Sequence, residues 1–416
     1  MKILMVNKFF YIKGGSETYY FALRRLLEKL GHTVVDFSMQ DEKNFPSPYG
    51  ELFVSNVDYN GKLSFGQKLR AGVNLIYSRE AKRKLEMLIL REKPDVAHLH
   101  IFQHQISLSI LDVLKKYGIP VIYTAHDLQM LCPNYQMLTG GMVCERCRGG
   151  KYIQCVKNRC IKDSLTKSAL GMVEAYFNSL TQKYDIIDKI ITPSAFYKRK
   201  FEEFGIAPQR IVHVPNFLDR TCPLVNPATG EEPYYLYLGR LSHEKGIPTL
   251  IRAAKATGIR LKIVGNGPLY EELKKEETEN VMLLGFKSGQ ELTDLVGNAK
   301  AVVLPSEWYE NGPYSAIEAL QLGRPLIGAD IGGIPELIRG NGFLFESGNV
   351  QALVDAIRKL EAWSAEEYTA ASEASLTLFE TCYTEKAHLA ALDAVYAGLV
   401  GRSLLETGGK EYTNEG

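Results

Sequence analysis

Residues 300–322 read K-A-V-V-L-P-S-E-W-Y-E-N-G-P-Y-S-A-I-E-A-L-Q-L, and this stretch changes character in its middle. Residues 300–305 predict a short buried strand, whereas residues 315–322 carry the apolar period of a helix. Glu310 therefore lies in the loop after a strand, and Glu318 lies on the first turns of the following helix. Open α/β sheets bind ligands at this place, because helix N–H groups and the positive end of the helix dipole face the crevice.

Glu310 and Glu318 stand eight residues apart around a Gly-Pro turn. Even fully helical spacing would separate them by roughly 12 Å, so the two carboxylates could hold separate parts of one elongated ligand. An ionised carboxylate only accepts hydrogen bonds, and sugar or ribose hydroxyls are natural donors to it. The helix dipole alone also favours acids at a helix start, so the spacing by itself leaves both interpretations open.

The pattern of strand, turn and helix recurs along the chain in two series on either side of a Pro-rich connector at residues 214–233. Helical stretches at residues 18–30 and 106–116 alternate with the strands of the first series. The predicted strands are residues 3–6, 34–37, 96–99, 121–124 and 190–193, then 235–238, 261–264, 281–284, 301–304 and 326–329. Such alternation predicts an α/β fold of two Rossmann-like, doubly wound domains facing each other across a cleft.

Length and composition agree with two domains. The 416 residues are too many for one ordinary core, and 45% hydrophobic with 23% charged residues is typical of a globular protein. No apolar run approaches the roughly 18 to 20 residues that cross a bilayer, and the chain starts directly with a strand, so we expect a cytoplasmic protein without a signal peptide. The expected divisions are residues 1–215 and 216–380, a helix at 381–401, and a flexible tail at 402–416.

The net charge of +1 conceals an asymmetry between the two halves. Residues 1–220 hold 32 Lys and Arg against 21 Asp and Glu, a net charge of +11, and the remainder holds 17 against 27, a net charge of −10. Within the basic half, residues 62–85 combine seven cations with apolar residues at helix-like spacing. Such a segment can lie on an anionic membrane surface or meet a phosphorylated acceptor, and it can equally be a solvated helix face.

Three glycine-containing turns follow predicted strands. Gly14 and Gly15 form a turn before the first helix, where backbone amides can approach a phosphate or sugar closely. Residues 237–246 read Y-L-G-R-L-S-H-E-K-G. The planar guanidinium of Arg240 and the compact ammonium of Lys245 suit the two phosphates of a diphosphate. Residues 263–268, I-V-G-N-G-P, repeat the pattern. Taken singly, the first and third motifs are also typical of a routine turn, and Arg240 with Lys245 could be a pair of surface cations.

Taken together and in this order, the motifs resemble family 4 retaining glycosyltransferases of the GT-B fold, from about residue 1 to residue 400. G-G-S-E, Y-L-G-R-L-S-H-E-K-G, V-G-N-G-P, E-N-G-P-Y-S-A-I-E and G-G-I-P-E carry the resemblance. It implies that Arg240 and Lys245 hold the donor diphosphate, and that Glu318 holds the ribose hydroxyls. It further implies contacts to the donor sugar from Glu310, from His126 in Y-T-A-H-D, and from the backbone of four residues. The four residues whose backbone would contact the sugar are Asn311, Gly312, Pro313 and Tyr314. The turn residues expected around the donor are Gly14, Gly15, Asn266 and Gly267.

The resemblance implies transfer of a hexose, with retention, from a nucleoside-diphosphate sugar to a glycan or lipid-linked acceptor in cell-surface polysaccharide or glycolipid synthesis. No D-x-D triplet occurs in the chain, so the cations are expected to stabilise the leaving diphosphate without a metal cofactor. Two alternatives remain at this point: a GT-B sugar-nucleotide epimerase, which needs no acceptor, and a nucleic-acid-binding module. We expect no nucleic acid partner, since that module would leave the cleft unexplained.

A cysteine cluster departs from the simple family pattern. Five of the seven cysteines fall within residues 132–160, with the spacing C-x2-C-x7-C-x4-C, and basic residues are interleaved. In a reducing compartment this spacing favours metal over disulfides. The prediction is one structural zinc ion, against an unmetallated basic loop. Its ligands would be Cys144, Cys147, Cys155 and Cys160, with Cys132 as the alternative to one of them.

Two further expectations concern packing. The resemblance implies that residues 379–399 form a helix that returns to the N-terminal domain, and an apolar stripe at helical spacing agrees with it. His98, His100 and His104 follow a predicted strand. They are interpreted as packed histidines, with the acceptor side of the cleft as the alternative.

Overall fold

The computed structural model describes residues 1–56, 72, 74–218 and 232–406. These residues contain two six-stranded parallel sheets and a two-stranded hairpin. The N-terminal sheet has the strand order β2-β1-β3-β4-β7-β8. Its strands are β1 (Lys2–Val6), β2 (Thr33–Phe37), β3 (Val96–Leu99), β4 (Val121–Thr124), β7 (Lys189–Thr192) and β8 (Ile211–His213), and the hairpin pairs β5 (Leu138–Thr139) with β6 (Met142–Val143).

The C-terminal sheet has the strand order β11-β10-β9-β12-β13-β14. Its central strands are short apolar runs that helices cover on both faces, which explains why their side chains are buried throughout. The strands are β9 (Tyr235–Leu238), β10 (Leu261–Val264), β11 (Val281–Gly285), β12 (Ala301–Leu304), β13 (Leu326–Ala329) and β14 (Gly342–Phe345).

Helices connect the strands and cover both sheets. In the N-terminal part they are α1 (Gly15–Lys29), α2 (Arg79–Glu92), α3 (Ser109–Lys116), α4 (Ile153–Lys157), α5 (Leu165–Leu180) and α6 (Ala195–Glu203). In the C-terminal part they are α7 (Ile247–Thr257), α8 (Tyr270–Lys274), α9 (Gly289–Gly297), α10 (Tyr314–Gln321), α11 (Val350–Glu361), α12 (Ala365–Cys382) and α13 (Glu385–Val400). The prediction of a two-domain α/β fold is confirmed.

Each sheet has a switch point where the direction of strand order reverses. In the N-terminal sheet it lies between β1 and β3, and in the C-terminal sheet it lies between β9 and β12. Ligands of doubly wound sheets bind at the carboxyl ends of the strands beside the switch point, because the loops there diverge and leave a crevice. Each switch point therefore marks the edge of its sheet at which a ligand is expected.

The chain returns from the second sheet to the first through α13. Its buried face, which includes Leu392 and Tyr396, packs in one apolar cluster with Ile3 and Met5 of β1. Lys29 of α1 also pairs with Glu385 at 2.8 Å. This helix therefore ties the C-terminal end of the described chain to the N-terminal sheet.

The expectation of one helix over residues 379–399 is wrong. The segment is divided between α12, which ends at Cys382, and α13, which begins at Glu385. The Thr384 hydroxyl accepts a hydrogen bond from Ala387 N at 3.2 Å and so starts the second helix. The break lets the chain turn between the two sheets, which an apolar period alone does not reveal.

Other differences concern short or peripheral elements. The sequence predicted neither β8 and β14 nor the hairpin, because edge strands of two to four residues give little periodic signal. The helix expected from residue 106 begins at Ser109. Of the basic segment 62–85, residues 62–71 and 73 lie outside the described residues, as do Cys222 and residues 407–416 of the tail. No helix in the described ranges is long and apolar enough to span a bilayer.

Candidate active site

The centre of the C-terminal edge is an ion pair between Lys245 and Glu310. Lys245 Nζ lies 2.6 Å from Glu310 Oε1, although the two residues are 65 positions apart. The loops after β9 and β12, which flank the switch point, bring them together. The Ser306 hydroxyl donates a second hydrogen bond of 2.6 Å to the same carboxylate oxygen, and Lys245 Nζ lies 4.9 Å above the Trp308 ring.

Glu310 is held as an anion. Burial alone would raise the pKa of its carboxyl, and its side chain is only 9% exposed. The charge of Lys245 and the hydrogen bonds from Lys245 and Ser306 outweigh that burial and hold the pKa below its usual value. The C-terminal edge thus keeps a fixed positive and a fixed negative charge side by side.

Glycines allow the backbone around this pair to approach closely. A Cβ at Gly246, whose φ is +66°, would lie 1.8 Å from the carbonyl oxygen of Pro305. A Cβ at Gly332 would lie 2.5 Å from the Glu310 nitrogen. The G-G of the G-G-I-P-E motif is therefore required for contact with the loop that carries Glu310, which the sequence alone did not indicate.

The remaining predicted donor residues of this half surround the pair. Arg240 is exposed in the loop after β9, and Asn266 and Gly267 lie in the loop after the adjacent β10. Asn266 is exposed, and its carbonyl accepts a hydrogen bond of 3.0 Å from Leu241 N. Glu318 is half-buried on α10. The residues expected to hold the diphosphate and the ribose thus share one edge of the sheet.

The N-terminal sheet presents Gly14 and Gly15 to the same cleft. Gly14 precedes α1 without a side-chain cap, so the amides of Gly15 and Ser16 can donate to an acceptor such as a phosphate, whereas the Glu17 amide is used by the Glu17 carboxylate. A Cβ at Gly15 would lie 3.3 Å from the Tyr314 ring. The glycine turn of one domain therefore packs against α10 of the other.

Hydrogen bonds fix the loop after β12 to the N-terminal domain. Asn311 Nδ2 donates to the carbonyl of Ala125 at 3.0 Å, and the Ser194 hydroxyl donates to Asn311 Oδ1 at 2.9 Å. Asn216 Nδ2 donates to the carbonyl of Gly312 at 2.8 Å. The Asn311 side chain thus joins the two domains, a role that the resemblance did not imply.

His126 follows β4 and contacts a second histidine. His100 Nδ1 and His126 Nε2 lie 3.1 Å apart, and the two rings are stacked with centroids separated by 5.4 Å. Burial lowers the pKa of His126 to about 3, so its imidazole is neutral at physiological pH. A neutral imidazole can donate or accept a hydrogen bond at the cleft without adding a charge to it.

The other histidines of this edge are packing residues. His98 and His100 are fully buried, and His98 hydrogen-bonds to Tyr396 of α13 at 2.9 Å and to Thr124 at 2.8 Å. His104 is partly exposed and lies 3.4 Å from a carboxylate oxygen of Glu174. The interpretation of packed histidines is confirmed for the first two residues.

Sequence reasoning missed two lysines of the N-terminal edge. Lys8 follows β1, and burial lowers the pKa of its ammonium against the opposing charge of Asp127. Partial burial also lowers the pKa of Lys13. The negative charge of Glu17 raises this pKa, and the positive charge of Arg240 lowers it. The charges of Lys13 and Arg240, which belong to different domains, are thus close enough to interact. The K in the Y-I-K-G-G stretch was the only available signal, and a single Lys before a turn is not diagnostic.

The predicted zinc ligands are not assembled into a site. Among the residues that the structure describes, no group of three or more His, Cys, Asp or Glu side chains could hold a metal ion. The thiols lie instead as two neighbouring pairs, Cys132 with Cys147 and Cys155 with Cys160. Cys144, expected to be a ligand, belongs to neither pair. The zinc ion therefore stays a prediction.

Comparisons with known proteins agree with this geometry. Residues 13–221 match the family described as Glycosyltransferase Family 4, and residues 225–375 match Glycosyl transferases group 1. An uncharacterized glycosyltransferase of Methanocaldococcus jannaschii is 28% identical over 179 residues, 42% of this chain and 49% of that relative. The O-antigen biosynthesis glycosyltransferase WbnH of Escherichia coli is 30% identical over 192 residues, 44% of this chain and 51% of that relative. The chain thus spans about half the length of these two relatives.

Two solved structures share the fold along nearly the whole chain. Sucrose-phosphate synthase from Thermosynechococcus elongatus has a TM-score of 0.70 at 17% identity, covering 95% of this chain and 98% of that one. Anabaena HepE in complex with UDP has a TM-score of 0.64 at 17% identity, covering 96% of this chain and 100% of that one. Two facing parallel sheets with a cleft at their switch points define the GT-B class of glycosyltransferases. Within that class, the chain belongs to glycosyltransferase family 4.

Proposed function

We propose that the protein transfers a hexose, with retention of configuration, from a nucleoside-diphosphate sugar to a hydroxyl of a glycan or lipid-linked acceptor. The observation that carries the proposal is the Lys245–Glu310 pair at the C-terminal switch point, opposite the uncapped start of α1. Charge of both signs, fixed in a cleft between two sheets, suits a ligand with an anionic diphosphate and a hydroxyl-rich sugar.

Arg240 and Lys245 would stabilise the diphosphate as it leaves, together with the amides of Gly14 and Gly15. Lys13 adds a cation from the other domain, and its approach to Arg240 supports an anionic ligand between them. Like charges that converge without a ligand repel each other, and a bound diphosphate would offset that repulsion. The residues of this chain thus supply the electrostatic stabilisation, and we propose that no metal cofactor is required for it.

Glu310 would accept hydrogen bonds from the transferred sugar, beside the backbone of residues 311–314, and Glu318 would accept them from the ribose. His126 would contact the sugar as a neutral group. In the reaction, the bond from the anomeric carbon to the phosphate oxygen breaks, and the bond to the acceptor oxygen forms on the same face. The acceptor proton passes to the departing phosphate oxygen, so no separate general base is assigned.

The acceptor is proposed to be part of a cell-surface polysaccharide or glycolipid. The O-antigen relative supports the polysaccharide pathway, and HepE with UDP supports a nucleotide donor. Lys8 after β1 is a buried cation, and burial lowers the pKa of its ammonium although the charge of Asp127 raises it. A phosphate or carboxylate of the acceptor would stabilise its charged form. The family membership favours transfer over the epimerase and the nucleic-acid-binding module.

We also propose a peripheral contact with an anionic membrane, on a different surface from the one expected. Lys82 hydrogen-bonds to Tyr77, and Lys84 pairs with Glu80 at 3.0 Å, so these cations are used within the protein. The residues around the Cys-rich insertion instead carry exposed cations and exposed apolar side chains together. They are Arg148, Lys151, Lys157 and Arg159, and Met142, Ile153, Leu165 and Leu180.

A thermal-shift screen against UDP-, GDP-, ADP- and dTDP-sugars tests the donor site. A ligand at about 100 times its dissociation constant adds about 2.7 kcal/mol of stability, which is readily measured. The selected donor is then used to compare the turnover of Arg240→Ala and Glu318→Ala with that of the parent. No shift with any nucleotide sugar, or parent-like turnover in both variants, would contradict the proposal.

The proposed structural zinc needs its own measurement. Protein purified without chelators should carry close to one zinc per chain, and a Cys144→Ser/Cys147→Ser variant should lose it. If elemental analysis finds no zinc in protein purified in this way, the zinc proposal is wrong.

A further inference from the structure

The Cys-rich insertion (residues 132–160) contacts the donor loop (residues 305–313, between β12 and α10). Glu145, between Cys144 and Cys147, accepts a hydrogen bond of 2.6 Å from the hydroxyl of Tyr309. Lys200 of α6 pairs with the same carboxylate oxygen at 2.9 Å. One carboxylate thus joins the insertion, the N-terminal domain and the donor loop.

Tyr309 is also packed against the N-terminal domain. The centroid of its ring lies 4.7 Å from that of the Phe196 ring on α6, at an interplanar angle of 57°. The partly buried ring also packs against the apolar core of the N-terminal domain. Lys200 Nζ lies 5.5 Å above the Tyr309 ring. The ring therefore rests on α6, with Glu145 fixing its hydroxyl from the outer side.

The beginning of α6 holds the same region of the C-terminal domain. The backbone nitrogens of Ala195 and Phe196 donate to the carboxylate of Glu336 at 2.8 and 2.6 Å. The Ser194 hydroxyl, which caps this helix, also donates to Asn311. Helix α6 is thus a platform, and the donor loop is attached to it at both ends of the segment 309–311.

The bridge joins an ammonium and a hydroxyl to one carboxylate oxygen. Glu145 Oε1 lies 2.9 Å from Lys200 Nζ and 2.6 Å from the Tyr309 hydroxyl. Partial burial would lower the pKa of Lys200, and the hydrogen bonds to Glu145 and Glu203 raise it instead. A charge-assisted hydrogen bond is roughly twice as strong as a neutral one, which suits a contact that must hold a loop in place.

We propose that Glu145 is a positioning residue, and that the insertion acts as a latch that holds Tyr309, and through it the adjacent Glu310, in the geometry that contacts Lys245. The inference rests on the proposed function of Glu310 in binding the donor. It assigns a role to the Cys-rich insertion, which lies between strands of the N-terminal domain and yet contacts the donor side. The thiols and basic residues of the insertion would then stabilise the fold around Glu145 and would take no part in the transfer reaction.

The test uses the full-length chain and three single variants, Glu145→Gln, Tyr309→Phe and Lys200→Met. Hydrogen exchange without ligand should be roughly tenfold faster in peptides covering residues 306–312 of each variant, because local opening becomes easier. Exchange in β10 and β13 should be unchanged. The matched control is Glu203→Gln, which removes the other carboxylate partner of Lys200, at 2.8 Å, and leaves Glu145 intact.

Turnover of the nucleotide sugar chosen by the thermal-shift screen gives the second readout. The latch predicts that each variant raises the donor KM several-fold to roughly tenfold and leaves the acceptor KM unchanged. The donor KM of a Glu145→Gln/Tyr309→Phe variant should be no higher than that of the poorer single variant, because both changes remove the same contact. Glu145→Asp should recover part of the loss. Parent-like exchange in the donor loop of all three variants would overturn the latch. If exchange accelerates but Lys245→Ala retains parent turnover, the latch stands and the proposed donor site fails.

Discussion

The two sheet edges that face the cleft differ in how they treat charge. The C-terminal edge keeps a Lys and a Glu ionised at 2.6 Å, whereas the N-terminal edge brings His100 and His126 together as neutral rings. The contrast is notable because the N-terminal half is the basic one, with 32 Lys and Arg against 21 Asp and Glu in residues 1–220. Much of that positive charge lies on exposed surface such as the insertion.

The difference has a physical reason under the proposed function. A departing diphosphate gains from fixed cations, so the donor side needs charges that do not reorganise. A sugar that becomes positively charged at its anomeric carbon would be repelled by a nearby imidazolium. A neutral imidazole can hold a sugar hydroxyl without that repulsion. The comparison therefore predicts different responses to mutation and pH on the two sides.

Removing the cation of the donor edge should have the largest effect. We expect Lys245→Ala to lower turnover by roughly 10² or more, because one preorganised electrostatic partner is lost. It should also lower the free energy of unfolding by about 3 kcal/mol, since Glu310 is left buried without its counterion. Adding Glu310→Gln should recover stability without recovering turnover. Lys255→Ala, on the exposed face of α7, is the control, and a folded Lys245→Ala protein with parent turnover would remove the donor assignment.

The neutral edge should make the fold sensitive to acid. Burial lowers the pKa of His98 and His126 to about 3 and that of His388 to about 4, below the unfolded value of about 6.5. Between these values the unfolded chain binds more protons, so stability is lost as pH falls below about 6.5. At pH 5 the loss is about 2 kcal/mol for each such histidine.

Denaturant unfolding at pH 7 and pH 5 measures this loss. His388→Asn should reduce the loss of unfolding free energy between pH 7 and pH 5 by about 2 kcal/mol, because it removes one titrating ring. The Asn amide can still donate to the Pro215 carbonyl, as His388 Nδ1 does. His243→Asn, at an exposed position, should not reduce it. Equal stability of the parent at the two pH values would show that the buried rings do not stay neutral.

The exposed charge of the N-terminal half should be visible in membrane binding. Lys151→Gln/Arg159→Gln should weaken binding to acidic vesicles by about tenfold, since each cation near an anionic surface contributes about 1 kcal/mol at most. Raising the salt concentration should weaken binding of the parent as well. Lys255→Gln/Lys274→Gln removes the same charge from the other half and should change little. Equal binding by both variants would point to an acceptor that is not presented on a membrane.

The smallest effect concerns His126 and pH. His126→Asn should lower kcat/KM for the donor by several-fold to tenfold, as for loss of one hydrogen bond to the sugar. The ratio of parent to variant should then be constant from pH 5.5 to 8, because the ring is neutral throughout this range. A ratio that falls as pH rises through 6.5 would show that the protonated ring acts, and the comparison between the edges would fail.

Several features of the molecule could be read from the residues alone. All ten predicted strands form within one or two residues of their expected bounds, because short apolar runs between turn residues leave little choice of structure. Glu310 after β12 and Glu318 on α10 were also placed correctly, since a strand, a Gly-Pro turn and a helix are local patterns. The ordered motifs sufficed for the family, which the matches then confirmed.

The contacts that define the cleft depended on tertiary structure. Lys245 meets Glu310 over 65 positions only because β9 and β12 are neighbours, and Glu145 meets Tyr309 over 164 positions only because both residues pack beside α6. The burial of His98, the break before α13 and the pairing of the cysteine thiols have the same origin. Local sequence sets which residues form strands and helices, whereas strand order and packing set which distant side chains share a charge, a proton or a water-free surface.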